Sequence, residues 1–185
     1  MADSQTPREA VEVIFSAETI ASRIGAVARD IAAAALEDLL VVAILKGSFV
    51  FAADLLRALH GAGLAPQVDF LSLSSYRSST RSTGKVTIVR DIETEVAGRN
   101  VLIVDDILES GRTLAFAKDL LAARGAATVL TCVLLDKPVP RAANIRADFI
   151  AFECPQVFVV GYGMDLAHRL RELPFVGRIA RDGAR

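Results

Sequence analysis

The sequence predicts an α/β domain built around a mostly parallel sheet flanked by helices. Three observations carry that expectation. Short apolar runs rich in β-branched residues, such as LLVVAIL (39–45) and TVLTCVLLD (128–136), alternate along the chain with helical patterns. Several of these runs are continuously apolar, as in strands covered on both faces. One of them, NVLIVDD (100–106), runs straight into two adjacent carboxylates. Polar residues of this kind belong at the carboxyl end of a strand, where such sheets bind ligands.

The elements follow in order. In residues 17–36, Ile20, Ile24, Val27, Ile31 and Leu36 recur at about helical spacing. LLVVAIL reads as a buried strand, and SFVFAADLLRAL (48–59) as a helix ending at HGAG. QVDFLSLSSY (67–76) alternates as a strand does. GRTLAFAKDLLAARGA (111–126) is a helix stopped by Gly125, and DFIAFE (148–153) and VFVVGYG (157–163) supply further strands. The segment RSSTRSTGK (77–85), between two strands, is polar and without large apolar side chains. It reads either as a plain surface loop or as a lid over a site. The 185 residues are expected to form one domain, with no repeat and no long linker.

Composition excludes several classes. With 21 basic and 22 acidic residues the formal net charge is −1, so no basic excess points to nucleic acid. The chain is 52% hydrophobic, but Glu37, Asp38 and Asp54 interrupt its apolar stretches. None approaches the run of about 20 residues that a membrane helix needs. MADSQTPREAVEV, at the amino terminus, lacks the basic and apolar regions of a signal peptide, so a cytoplasmic protein is expected. Cys132 and Cys154 form no CxxC, and only His60 and His168 could join them. The pattern favours two reduced, buried thiols over a zinc site.

The stretch VLIVDDILESGRTL (101–114) carries the most chemistry. A helix opening just after a strand end offers unpaired N–H groups and partial positive charge, which suit phosphate. Gly111 permits close backbone approach, Ser110 and Thr113 offer hydroxyl donors, and Arg112 adds charge. Asp105 and Asp106 would repel phosphate, but suit vicinal hydroxyls or Mg²⁺. Together these requirements describe a phosphorylated ribose. The competing account is an N-capping cluster with Ser110 as the cap.

This stretch resembles the signature of the type I phosphoribosyltransferases, which bind 5-phosphoribosyl 1-pyrophosphate. It is not a Walker loop, since no GxxxxGK[ST] occurs. AILKGSFVFAADLL (43–56), LLDKPVPR (134–141) and FVVGYGMDLAHRLREL (158–173) resemble the hypoxanthine-guanine branch of that family, in the same order. LSSYRSSTRSTG (73–84) resembles its flexible loop. The resemblance covers roughly residues 10–180. It implies the type I fold, with a small hood from the N-terminal segment and the C-terminal region and a flexible loop at about 75–86.

The resemblance also implies roles. Asp105 and Asp106 would engage the ribose hydroxyls and the metal, and Leu108, Glu109, Ser110, Gly111, Arg112 and Thr113 would form the 5′-phosphate loop. Lys46 and Gly47 would contact pyrophosphate, as would Arg171. Lys137 would donate to the 6-oxygen of the purine, favouring 6-oxo bases over adenine. Phe158 would stack on the base, although taken alone it reads as a core strand residue. Val159 would contribute backbone contacts to the base edge. Asp165 would be a second metal carboxylate, although it reads equally well as a helix cap. Ser75 and Tyr76 would belong to the loop that closes over the reacting centre. Two departures stand out. Glu109 replaces the aspartate usual for the proposed general base, and Arg112 replaces a common lysine.

The implied reaction is purine salvage. Hypoxanthine or guanine would displace pyrophosphate at the anomeric carbon, with Mg²⁺ as cofactor, in a homodimer or homotetramer. A regulator binding nucleotides or RNA on the same fold, and a xanthine-preferring enzyme, are the alternatives. A response-regulator receiver shares VLIVDD and DKP, but its acidic pair lies near the domain start. Here the pair lies past mid-chain and too close to Lys137 to leave room for the intervening elements.

Overall fold

The computed structural model describes residues 11–75 and 86–180. The chain forms β1 (Val11–Phe15), α1 (Ala17–Ala33), β2 (Leu39–Leu45), α2 (Phe49–Gly61), β3 (Gln67–Ser75) and β4 (Val86–Arg90). It continues through β5 (Asn100–Leu108), α3 (Arg112–Ala123), β6 (Thr128–Asp136), β7 (Phe149–Glu153), β8 (Val159–Val160) and β9 (Val176–Ile179). Six strands form one sheet in the order β4-β3-β2-β5-β6-β7. All neighbours are parallel except β4, which pairs antiparallel with β3. A second sheet, β1-β9-β8, is antiparallel.

The continuous apolar runs are explained by burial on both faces. Alternate residues of β2 point into two different clusters. Leu39, Val41 and Ala43 pack with α1 and α2, while Leu40, Val42 and Ile44 pack with α3. β5 divides in the same way, with Leu102 and Val104 on one side and Val101 and Ile103 on the other. Neither face of these central strands meets water, so no polar alternation is possible. α1 is capped by Ser16, whose Oγ accepts from the Thr19 amide at 3.2 Å.

The helix expected over 17–36 ends at Ala33; Ala35 and Asp38 then take positive φ, which turns the chain into β2. VFVVGYG is strand only over Val159–Val160. Positive φ at Gly161, Tyr162 and Gly163 ends it. β1 and β9 were not evident from local pattern. They pair with one another across almost the whole chain, Val11 opposite Ile179. The segment proposed as a lid, 77–85, and Tyr76 lie outside the described residues. No helix among the described residues is long and apolar enough to cross a membrane.

Candidate active site

Parallel pairing brings the carboxyl ends of the central strands to one edge. Leu45 of β2 lies opposite Ser72 of β3, and Leu108 of β5 opposite Asp136 of β6. The next residues along the chain, Lys46, Glu109 and Lys137, therefore meet there. The crevice also falls where strand order reverses: the chain leaves β2 towards β3 on one side and returns to β5 on the other.

A cavity of about 690 Å³ fills this crevice. Lys46, Gly47, Asp106, Glu109 and Lys137 line it from the sheet edge, and Phe158, Val159, Asp165 and Arg171 from β8 and the turns that follow. Nine of the predicted site residues thus share one space. Sequence reasoning missed Leu45, Ser72, Leu73, Ser74, Val89, Ile107 and Met164, which complete the lining. Ser72 and Ser74 alternate on a half-polar strand, and that was the only available signal.

The two adjacent acids have different surroundings. Asp106 lines the cavity, whereas Asp105 is buried, with 6% of its surface exposed. Asp105 Oδ1 accepts from the Asp106 amide at 3.0 Å, and Asp106 Oδ1 accepts from the Ile107 amide at 3.0 Å. Burial, followed by repulsion from Asp106, pushes the Asp105 carboxyl well above the usual carboxylate range. Burial also raises Asp106, against opposing hydrogen bonds from Asp105 and the Ile107 amide and the charge of Arg171. Gly47 lies flat against this carboxylate: a Cβ there would collide with Asp106 Oδ2. The Leu45–Lys46 peptide beside it is cis.

Oxygen ligands of this kind suit a hard cation. A divalent ion would relieve the cost of setting the buried Asp105 beside the cavity-lining Asp106. Among the described residues no group of three His, Cys, Asp or Glu closes a cage on its own. Mg²⁺ commonly takes one or two carboxylates and completes its shell with water and substrate phosphate.

The loop after β5 has the form of an anion cradle. Gly111, at φ +77°, is the N-cap of α3 and supplies no side-chain cap. Ser110 Oγ is 3.5 Å from the Arg112 amide, so the capping account of Ser110 is realised only at the limit of a hydrogen bond. The amides of the first turn of α3 are thereby left for an external acceptor. From behind, the amides of Ala142 and Ala143 donate to the Ser110 carbonyl at 3.0 and 3.2 Å. A Cβ at position 111 would lie 2.7 Å from Ile145 Cγ2, so glycine is required for space as well as for φ. Leu108 is buried, Ser110 and Arg112 are exposed, and Thr113 is intermediate.

Lys137 is nearly buried, and its amide donates to the Leu108 carbonyl at 3.0 Å. Its Nζ lies 3.5 Å from Glu109 Oε1, while the Glu109 side chain is half exposed. Phe158 is 57% exposed and faces the cavity, which corrects its reading as a core residue. Asp165 caps no helix. Its Oδ2 accepts from the His168 amide at 2.7 Å in a series of turns, and its Oδ1 pairs with Arg171 Nη2 at 2.5 Å. Arg171 Nη1 donates to the Gly163 carbonyl at 2.5 Å. Ser75 is the last residue of β3. Cys132 and Cys154 are free and buried, and burial pushes the Cys132 thiol far up.

A mostly parallel sheet, a glycine-opened helix start after a central strand and a neighbouring acidic pair are the arrangement of a sugar-phosphate transferase fold. The chain belongs to the phosphoribosyl transferase domain family, whose model matches residues 12–166. Hypoxanthine phosphoribosyltransferase of Escherichia coli strain K12 is 39% identical over 175 residues, covering 93% of this chain and 97% of that protein. Hypoxanthine-guanine phosphoribosyltransferase of Bacillus subtilis is 45% identical over 138 residues, 75% of each chain. The solved structure of the Trypanosoma cruzi hypoxanthine phosphoribosyltransferase with its product IMP superimposes with a TM-score of 0.87 at 33% identity, covering 97% of this chain and 100% of that one.

Proposed function

We propose that this protein is a purine-salvage enzyme that transfers 5-phosphoribosyl from 5-phosphoribosyl 1-pyrophosphate to hypoxanthine or guanine, releasing pyrophosphate and giving IMP or GMP. One observation carries the reading. A nearly buried lysine, Lys137, and an exposed aromatic face, Phe158, share a cavity with Asp106 and Gly47. This proximity supports reading Lys137 and Phe158 as the base subsite and Asp106 and Gly47 as the sugar-pyrophosphate subsite.

Residues Leu108 to Thr113 hold the 5′-phosphate at the start of α3. Asp105 and Asp106 engage the ribose hydroxyls. Lys46, Gly47 and Arg171 receive the pyrophosphate, with backbone N–H groups and charge. Phe158 stacks on the base, Lys137 donates to its 6-oxygen, and Val159 offers backbone contacts to its edge. Glu109 takes a proton from N7 as a ring nitrogen attacks the anomeric carbon and the bond to pyrophosphate breaks. Asp105, Asp106 and Asp165 would hold Mg²⁺, whose charge, when bound, stabilises the departing pyrophosphate. The reading includes a cytoplasmic setting and a homodimer or homotetramer. A solved relative from Trypanosoma cruzi was analysed for the role of its C-terminal region in oligomeric state and enzymatic activity.

The test is nucleotide formation from 5-phosphoribosyl 1-pyrophosphate and Mg²⁺, with hypoxanthine, guanine, xanthine, adenine and uracil in parallel. Turnover of hypoxanthine or guanine without adenine is the expected result. Folded protein that binds the sugar phosphate yet turns over no base would overturn it.

A further inference from the structure

We propose that Tyr162 is a positioning residue for the pyrophosphate half of the site, acting through the hydrogen bond from its hydroxyl to Asp54 of α2. The inference rests on the assignment of Gly47 and Arg171 to pyrophosphate made above.

Tyr162 does not line the active-site cavity. It lies in a separate apolar groove of about 830 Å³ along α1 and α2, and Arg171 is a wall of both spaces. Its backbone takes φ +49°, between Gly161 at +89° and Gly163 at +98°. A bulky side chain adopts that conformation only where its surroundings enforce it. Three hydrogen bonds do so here. The Tyr162 amide donates to the Leu173 carbonyl at 2.8 Å, and the Gly163 amide to the Arg171 carbonyl at 3.0 Å. The buried phenol donates to Asp54 Oδ2.

The turn so held is where the pyrophosphate groups meet. The Gly163 carbonyl accepts from Arg171 Nη1. A Cβ on Gly163 would run into the Gly47 carbonyl oxygen, so the two glycine backbones are in contact. Gly47 in turn leads directly into α2, where Ser48 Oγ donates to the Ile44 carbonyl at 2.5 Å and the Ala52 amide donates to the Ser48 carbonyl at 2.8 Å. Asp54 stands on that same helix. Gly47, α2, Asp54, Tyr162 and Gly163 thus form a closed ring, in which the phenol–carboxylate bond is the side-chain hydrogen bond, with the Phe49 ring of α2 packed near Gly163. Opening that link frees the turn to shift against α2 and changes the spacing of Arg171 from Gly47. Lys137, just after β6, and the 5′-phosphate loop, which opens α3, stay in place, and Val159 beside Phe158 is held by the pairing of β8 with β9.

Tyr162→Phe removes the link and little else. It is expected to raise the KM for 5-phosphoribosyl 1-pyrophosphate, and the Kd for inorganic pyrophosphate by calorimetry, about five- to tenfold. The KM for hypoxanthine and the Kd for ribose 5-phosphate should stay within about twofold. Asp54→Ala should reproduce this pattern, and the double variant should be no worse than either single one. Asp54→Asn keeps an acceptor and should restore most of the pyrophosphate affinity; Asp54→Ala and Asp54→Asn carry the comparison if Tyr162→Phe does not fold. Unchanged pyrophosphate affinity, or an equal loss for base and pyrophosphate, would overturn the proposal. If the wild-type protein forms no nucleotide, the functional reading fails, and the pyrophosphate titration still decides the role of Tyr162.

Discussion

A Cβ at position 47 would lie 2.6 Å from Cγ of Asp106 and closer still to its Oδ2. The loop after β2 and the acidic end of β5 are therefore packed backbone against carboxylate. Gly47→Ala must push either the loop or the carboxylate aside. Misplacement of about 1 Å at a reacting centre costs on the order of 100-fold, so kcat/KM should fall by at least that factor. A circular-dichroism melt would show that the variant still folds. Wild-type kcat/KM would mean that the contact is slack.

On the proposed reading, Lys137 contacts the base and not the sugar. Lys137→Ala should raise the KM for hypoxanthine about 10- to 100-fold, the value of a buried charge-assisted hydrogen bond. The KM for 5-phosphoribosyl 1-pyrophosphate should change by no more than about threefold. Steady-state kinetics in both substrates decides this, and equal losses would contradict the assignment.

Asp105 is kept at a cost in stability. Burial and then Asp106 raise its folded-state pKa, so the folded chain holds a proton that the unfolded chain releases. The sign follows: stability from this group falls as pH rises from the ordinary carboxylate value through the raised one. Asp105→Asn keeps an oxygen that can accept from the Asp106 amide and removes the charge. Without Mg²⁺ or substrate, its melting temperature at neutral pH should exceed that of the wild type by roughly 2–5 °C, and the gap should close on acidification. Turnover should fall. A variant less stable at neutral pH than the wild type would refute this account.

Glu109 is the unusual acid. Glu109→Gln removes the proposed general base and should lower kcat by about 100-fold or more. Glu109→Asp retains a carboxylate one methylene shorter and should stay within about tenfold of the wild type. A pre-steady-state burst assay separates chemistry from product release. If Gln and Asp variants lose kcat equally, proton abstraction by this residue is excluded.

Legibility in the sequence tracked the range of the interactions involved. LLVVAIL and NVLIVDD were readable because burial on both faces leaves a purely local record. The helix after Gly111 was readable from its periodicity and its glycine. β1 and β9 were not, because Val11–Phe15 and Val176–Ile179 are short and become strands only by pairing with each other. Phe158 looked like a core residue in FVVGYG, yet the turn at Gly161–Gly163 carries the chain away and leaves its ring facing the cavity. The Tyr162–Asp54 contact had no local signal at all.

The sequence by itself determined the α/β class, the family and the residue types available for the chemistry. Each of these is written in contiguous motifs whose local propensities and burial patterns agree. Only the tertiary structure decided that Asp106 faces the cavity while Asp105 is buried, that Gly47 rests on a carboxylate, and that Arg171 is held by Asp165 and Gly163. The reason is physical. The direction and solvation of a side chain are set by the segments packed against it, and here those segments lie far away along the chain.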